Sequence, residues 1–183
     1  EATLAATLTA LVPAAVDGLV REVIVADGGS RDRTLKIADQ SGAEVIEAAR
    51  GRGVQLKSGA ARARSPWLMF LHADTQLEPG WEREVRQHIE RIEEGRRTDK
   101  AAAFRFLLDD EGWKARSLER AVAARSRMLA LPYGDQGLLI SRQLYVAIGG
   151  YADLPLMEDV DIVRRLGRKR LHIFRSGALT SAA

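Results

Sequence analysis

The chain has 183 residues, a formal net charge of +3 and no cysteine. That length suits one domain with a substantial core, and the lack of thiols excludes a disulfide framework, a cysteine-ligated zinc or iron–sulfur site and a cysteine nucleophile. A charge of +3 is too small to imply nucleic-acid binding, although arginine supplies 23 of the 28 basic residues.

The stretch from Ala2 to Val16 is apolar but broken by Pro13 and three threonines. It is shorter than the roughly 20 residues of a spanning helix and has no basic segment ahead of it, so it reads neither as a membrane span nor as a signal peptide. Leu4, Leu8 and Leu11 recur on one helical face. Because the chain opens on Glu1 in mid-helix, the expectation is a single domain over residues 1–183, truncated at both ends.

Glu22-Val-Ile-Val-Ala26 is a short β-branched run that predicts a buried strand, stopped by Asp27-Gly28-Gly29-Ser30. Ser30 or Asp32 can cap a following helix that carries Leu35, Ile37 and Ala38. Ala43 to Glu47 predicts a second strand, and the loop Arg50-Gly51-Arg52-Gly53 leads into an alanine-rich helix ending near Arg64. Trp67-Leu-Met-Phe-Leu71 is the most apolar strand and runs into His72-Ala73-Asp74-Thr75.

Pro79-Gly80 opens a polar helix to about Glu94, with proline near its first position. Next come a strand from Ala101 to Leu108, a helix from Trp113 to Leu131, a strand from Gly137 to Ile140 and a turn at Gly149-Gly150. A helix from Asp159 to Leu166 and a strand from Leu171 to Phe174 close the series. Apolar strands alternating with helices predict an α/β domain on a mainly parallel sheet.

In such a sheet, ligands bind beyond the carboxyl ends of the strands. Asp27 and Asp74 follow two of the most apolar strands. Either can be a simple turn acceptor; the functional alternative has Asp27 holding a nucleotide base or ribose and Asp74 a divalent cation. The loop through Arg52 is either a solvated connector or a diphosphate cradle at a helix N-terminus. Glu158, Asp159 and Asp161 either complement a helix dipole or supply a general base.

His72 is a structural partner or a metal ligand, His88 is expected to be solvated, and His172 is left open. The basic run from Arg164 to Arg175 is a solvated face, with contact to phosphate or anionic lipid as the alternative. No Ser/His/Asp arrangement is legible, so acyl transfer is unsupported.

These pieces occur in a familiar order. Glu22-Val-Ile-Val-Ala-Asp-Gly-Gly-Ser-Arg-Asp-Arg-Thr34 resembles the nucleotide-sugar loop of glycosyltransferase family 2, and Phe70-Leu-His-Ala-Asp-Thr75 resembles its metal-binding D-x-D segment. Ile148-Gly-Gly-Tyr151, Met157-Glu-Asp-Val-Asp161 and Arg165-Leu166 resemble its G-G-[FY]…E-D…R-[LM] block. Gly53-Val-Gln55, His72-Ala-Asp-Thr75 and Gly134-Asp-Gln-Gly137 are most similar to a bacterial subgroup of radical-SAM- and selenodomain-associated transferases.

The resemblance implies a GT-A (Rossmann-like) fold and an inverting sugar transfer from a nucleotide-diphosphate-sugar, dependent on Mn²⁺ or Mg²⁺. It implies Asp159 as base with Glu158 supporting it or touching the acceptor, and Asp74 with His72 at the metal. Asp27, Gly28, Ser30, Arg52, Gln55, Asp135 and Gln136 fall on the donor side. The acceptor is a hydroxyl compound, lipid or saccharide; nucleic acid is not a partner. The implied setting is cytoplasmic, with peripheral contact at the inner membrane face as the variant.

Three departures stand out. His72 replaces the first acid of D-x-D, Lys57 stands where asparagine is usual, and the family's first strand with its Pro-x-x-Asn-Glu signature is missing ahead of Glu1. The rival readings are a nucleotidyltransferase of related α/β fold and a non-catalytic nucleotide-binding module.

Overall fold

The computed structural model describes residues 2–96, 101–108, 136–154 and 156–180. In chain order these form α1 (Ala2–Val16), β1 (Ile24–Asp27), α2 (Thr34–Gln40), β2 (Glu44–Glu47), α3 (Arg52–Arg62), β3 (Trp67–Phe70) and β4 (Thr75–Leu77). Then follow α4 (Trp81–Glu93), β5 (Ala101–Leu108), β6 (Leu138–Ser141), α5 (Arg142–Ala147), α6 (Glu158–Leu166) and β7 (Leu171–Thr180). The expected helix over 113–131 lies outside the described residues.

The α/β architecture is as expected, but the strand directions are not. β1 and β2 form a parallel pair, joined through α2. The other five strands form one mixed sheet in the order β3-β6-β5-β7-β4, in which only β5 and β7 run parallel. The β3–β6, β5–β6 and β4–β7 pairs are antiparallel. Strand–helix alternation reports that crossovers exist, but not which distant strands become neighbours; β3 and β6 meet across some seventy residues.

Two short elements carry too few residues to show a period in the sequence: β4 with three and α5 with six. α5 starts at Ser141, whose hydroxyl accepts from the Leu144 N–H at 3.2 Å, a local N-cap. β7 runs to Thr180, well past the expected Phe174, because an irregularity interrupts its pattern. Pairing with β5 steps from Ala103–Ile173 to Arg105–Gly177. Carboxylates from α4 and the turn before it take the N–H groups released there: Glu84 accepts from Arg175 and Ser176, and Glu78 accepts from Gly177.

The core is apolar and layered. Leu68, Ile140, Ile162 and Tyr151 pack beneath α3, α5 and α6, while Trp81, Val85, Phe104 and Phe174 pack beneath α1 and α4. His88 corrects one expectation. It is 2% exposed, stacks on His172 at 5.4 Å and meets Trp67 and Phe174 edge-on. Trp81, Val85 and His88 share one helical face, so a period of 3.6 explains its burial better than the polar composition of α4 does. No described helix is long and apolar enough to cross a membrane.

Candidate functional site

Four chain segments carry the candidate residues. The first is the turn after β1. The Asp27 carboxylate is buried and accepts from the Gly29 N–H (2.8 Å), the Ser30 N–H (2.9 Å) and the Ser30 hydroxyl (2.5 Å). The Ser30 hydrogen bond holds its carboxyl below the usual range against the opposing effect of burial, so it stays anionic. Gly28 lies against Gln55: a Cβ there would stand 3.1 Å from the Gln55 amide nitrogen.

The second segment is the N-terminal turn of α3. Gln55 Nε2 donates to the Ala26 carbonyl at 2.9 Å, and Arg50 Nε donates to the Gly28 carbonyl at 3.2 Å, so this loop is stitched to the Asp27 turn. Arg52 is exposed at the start of the helix. Gly53 is buried where no other residue fits, since a Cβ would approach the Ala152 carbonyl oxygen to 2.4 Å and the Glu158 Cβ to 3.4 Å. One turn on, Lys57 and Asp153 form an exposed ion pair at 2.9 Å.

The third segment is α6. Met157, at its N-cap, has φ 66, a conformation that costs a non-glycine residue about 1–2 kcal/mol. Glu158 is 2% exposed, and its carboxylate receives no hydrogen bond among the described residues. Asp159 is partly buried, and its Oδ1 takes the neighbouring Val160 N–H at 2.7 Å. Tyr151 lies within electrostatic reach of both acids; burial, with the charge of Tyr145, Asp159 and Glu158 added to it, pushes its hydroxyl far above the ordinary range.

The fourth segment follows β3. His72 and Asp74 are partly buried and, with Arg52 and Gln55, line a cavity of about 460 Å³. The Ala73 carbonyl between them accepts from Thr7 of α1 at 3.0 Å. No group of three or more His, Asp or Glu among the described residues could hold a metal by itself. One carboxylate beside one imidazole therefore fits a hard cation only as part of a shell completed by ligand phosphates and water.

Two positioning contacts have a sequence signature that only becomes readable with the fold in hand. Arg165 Nε and Nη2 clasp Asp161 Oδ2 at 3.0 and 2.5 Å, the i,i+4 spacing of a helix face, while its Nη1 reaches the Ile148 carbonyl. Tyr145 accepts the Tyr151 N–H at 3.1 Å beneath Gly150, where a Cβ would lie 2.9 Å from its ring. Together they tie α6 to the turn at residues 149–150.

Gln136 has a structural contact of its own. It is 1% exposed, and its amide donates at 2.9 Å to the carbonyl of Phe104, the residue skipped in the β5–β7 register. It braces the β5–β7 bulge. Asp135 lies outside the described residues.

The profile for glycosyl transferase family 2 matches residues 1–149. No curated protein sequence matches the chain. Among solved structures, glucosyl-3-phosphoglycerate synthase from Mycobacterium tuberculosis, crystallised with Mn²⁺, UDP-glucose and phosphoglyceric acid, is 24% identical with a TM-score of 0.64. The match covers 97% of this chain and 66% of that one. A mycobacterial protein is 23% identical with a TM-score of 0.64, covering 98% and 60%. S. aureus TarS 1-349 reaches a TM-score of 0.65 at 14% identity, covering 87% and 51%. The chain thus spans less than two thirds of the length of these structures.

Proposed function

The chain belongs to glycosyl transferase family 2, and from that premise we propose that it transfers a sugar, with inversion, from a nucleotide-diphosphate donor to an acceptor hydroxyl. One observation carries the reading. The Asp27 turn, the N-terminus of α3 and the start of α6 are joined by direct contacts through Gln55, Arg50 and Gly53, so donor-side groups and an acidic pair share one edge of the fold.

In this reading, the turn of Asp27, Gly28 and Ser30 receives the base, while Arg52 and Gln55 line the diphosphate. Asp74, with His72, would hold Mn²⁺ or Mg²⁺, and the chemistry such an ion would supply there is charge stabilisation of the departing diphosphate. Asp159 takes the proton of the acceptor hydroxyl as that oxygen bonds to the anomeric carbon. The bond from that carbon to the diphosphate oxygen breaks in the same step, and its electron pair leaves with the nucleotide. A single displacement needs one base and no covalent nucleophile.

Glu158, buried beside Gly53 without a hydrogen-bond donor among the described residues, has free acceptor capacity for an acceptor hydroxyl. Leu156 and Met157, 71% and 57% exposed ahead of it, suit an acceptor that carries an apolar part, lipid-linked or saccharide. A cytoplasmic setting near the inner membrane face and membership of the radical-SAM- and selenodomain-associated subgroup belong to the same proposal.

The test is a thermal-shift panel of UDP-, GDP- and dTDP-sugars with and without Mn²⁺. One nucleotide class should raise Tm only with the metal present; a ligand at 100 times its Kd adds about 2.7 kcal/mol. If no sugar nucleotide stabilises the chain, the reading fails. Pyrophosphate release from a nucleoside triphosphate and a sugar phosphate would put a nucleotidyltransferase in its place.

A further inference from the structure

Lys57 is a charged side chain beside the candidate site that the proposed chemistry does not use. It stands on α3 one turn beyond Gly53, and positions 53, 57 and 60 fall on one face of that helix. Gly53 lies against the carbonyl oxygens of Ala152 and Leu154 and against the Glu158 side chain. Lys57 Nζ donates to both carboxylate oxygens of Asp153, at 3.1 and 2.9 Å, across 96 residues of chain. Ala60 is buried with Ile162 and Leu166 of α6. A single stripe of α3 therefore supports α6 and the residues that lead into it.

Those leading residues end in a costly conformation. Met157 has φ 66 directly ahead of Glu158 and Asp159, and such strain persists only where the surroundings hold the chain on either side. On the α6 side, the Asp161 N–H donates to the Met157 carbonyl at 3.0 Å. On the other side there are three holds. Tyr145 accepts the Tyr151 N–H, Gly53 packs against residues 152 and 154, and Lys57 pairs with Asp153. The first two are buried. The third is ionic and exposed, with both side chains more than half accessible.

The neighbouring charges are already committed. Arg165 is bound to Asp161 and to the Ile148 carbonyl. Burial pushes the Tyr145 hydroxyl up, and the charges of Lys57 and Arg165 oppose that, so both cations lie within electrostatic reach of the tyrosine that holds Tyr151. We propose that Lys57 is a positioning residue, which through Asp153 fixes residues 152–154 against α3 and so sets where Glu158 and Asp159 stand. A lysine has the reach and the point charge for this bridge. Its effect on catalysis rests on the proposed sugar transfer; the hold on the chain does not.

The test compares Lys57→Met, Asp153→Asn and the exchanged pair, Lys57→Asp with Asp153→Lys. Amide hydrogen exchange is followed at Leu154 and Asp161, whose N–H groups bond the Ala152 and Met157 carbonyls. Exchange should quicken about two- to fivefold in each single variant, the range an exposed pair supports, and return toward the parent rate in the exchanged pair. About 1 M sodium chloride should bring the parent to the single-variant rate. With the sugar nucleotide that stabilises the chain, kcat should fall about threefold or more in each single variant at unchanged KM, and recover in the exchanged pair.

Unchanged exchange in both single variants, or no recovery in the exchanged pair, overturns the proposal. Faster exchange with kcat intact overturns the positioning role and leaves a surface ion pair. Weaker binding of UDP or GDP with Mn²⁺ in Lys57→Met, together with tighter binding in Asp153→Asn, overturns it in favour of a lysine that contacts donor phosphate. If the parent turns over no sugar nucleotide, the transfer reading fails, and the exchange rates alone decide the hold.

Discussion

Two acidic clusters flank α3, and they are built in opposite ways. The Asp27 carboxylate is surrounded by donors of its own turn, from Gly29 and Ser30, and is kept anionic by them. Glu158 is as deeply buried and has no hydrogen-bond donor among the described residues, while beside it Asp159 accepts from Val160. The first arrangement fixes a loop. The second stands at the start of α6, within electrostatic reach of a tyrosine whose hydroxyl burial keeps neutral.

The sharpest way to break this contrast is Asp159→Asn. Turnover of the sugar nucleotide found in the thermal-shift panel should fall by about 10²–10⁴-fold, while calorimetry finds its affinity nearly unchanged. Full activity would remove Asp159 from the chemistry. Asp74→Ala should abolish the difference between nucleotide affinities measured with and without Mn²⁺, and a preserved metal dependence would remove Asp74 from that role.

Stability experiments address the turn. Asp27→Ala should lose about 1.5 kcal/mol in urea denaturation, because charged hydrogen bonds go while water can reach the exposed Gly29 and Ser30. Within α3, Gly53→Ala should destabilise by about 1–3 kcal/mol through overpacking against the Ala152 carbonyl. Gly59→Ala, with nothing within 4 Å, should be neutral or gain up to about 1 kcal/mol. Equal effects at the two glycines would show that the junction of α3 and α6 is not tightly packed.

The smallest effect is expected on acidification. Partial burial opposes ionisation of Glu84, but the Ser176 and Arg175 donors outweigh it, so Glu84, like Asp27, titrates below its ordinary value. A depressed carboxylate contributes stability that is complete above the unfolded value, 4.5 and 3.8 respectively, and disappears as pH falls through the folded one. The urea midpoint should therefore decline between about pH 5 and pH 3, and Glu84→Gln should flatten the decline. An unchanged slope would deny Glu84 that role.

The candidate site residues stand out in the sequence because they sit where periodic patterns stop. Asp27 ends a β-branched run, Asp74 follows the most apolar strand, and Glu158-Asp159 opens a helix whose inner face is Val160, Ile162 and Val163. The contact that Gln136 makes is not legible, for the opposite reason. Its role is to satisfy a carbonyl exposed by a register shift between β5 and β7, and no local pattern announces a shift between strands some seventy residues apart. His88 was misread because the composition of α4 outweighed its period.

The sequence alone determined the α/β class, most element positions and the family, since each follows from local periodicity or from an ordered set of short motifs. The tertiary structure decided the mixed sheet, the parallel β1–β2 pair and the donors gathered around the buried Asp27 carboxylate. The strand pairings depend on backbone hydrogen bonds between segments distant in the chain, and their partners exist only once the chain has folded.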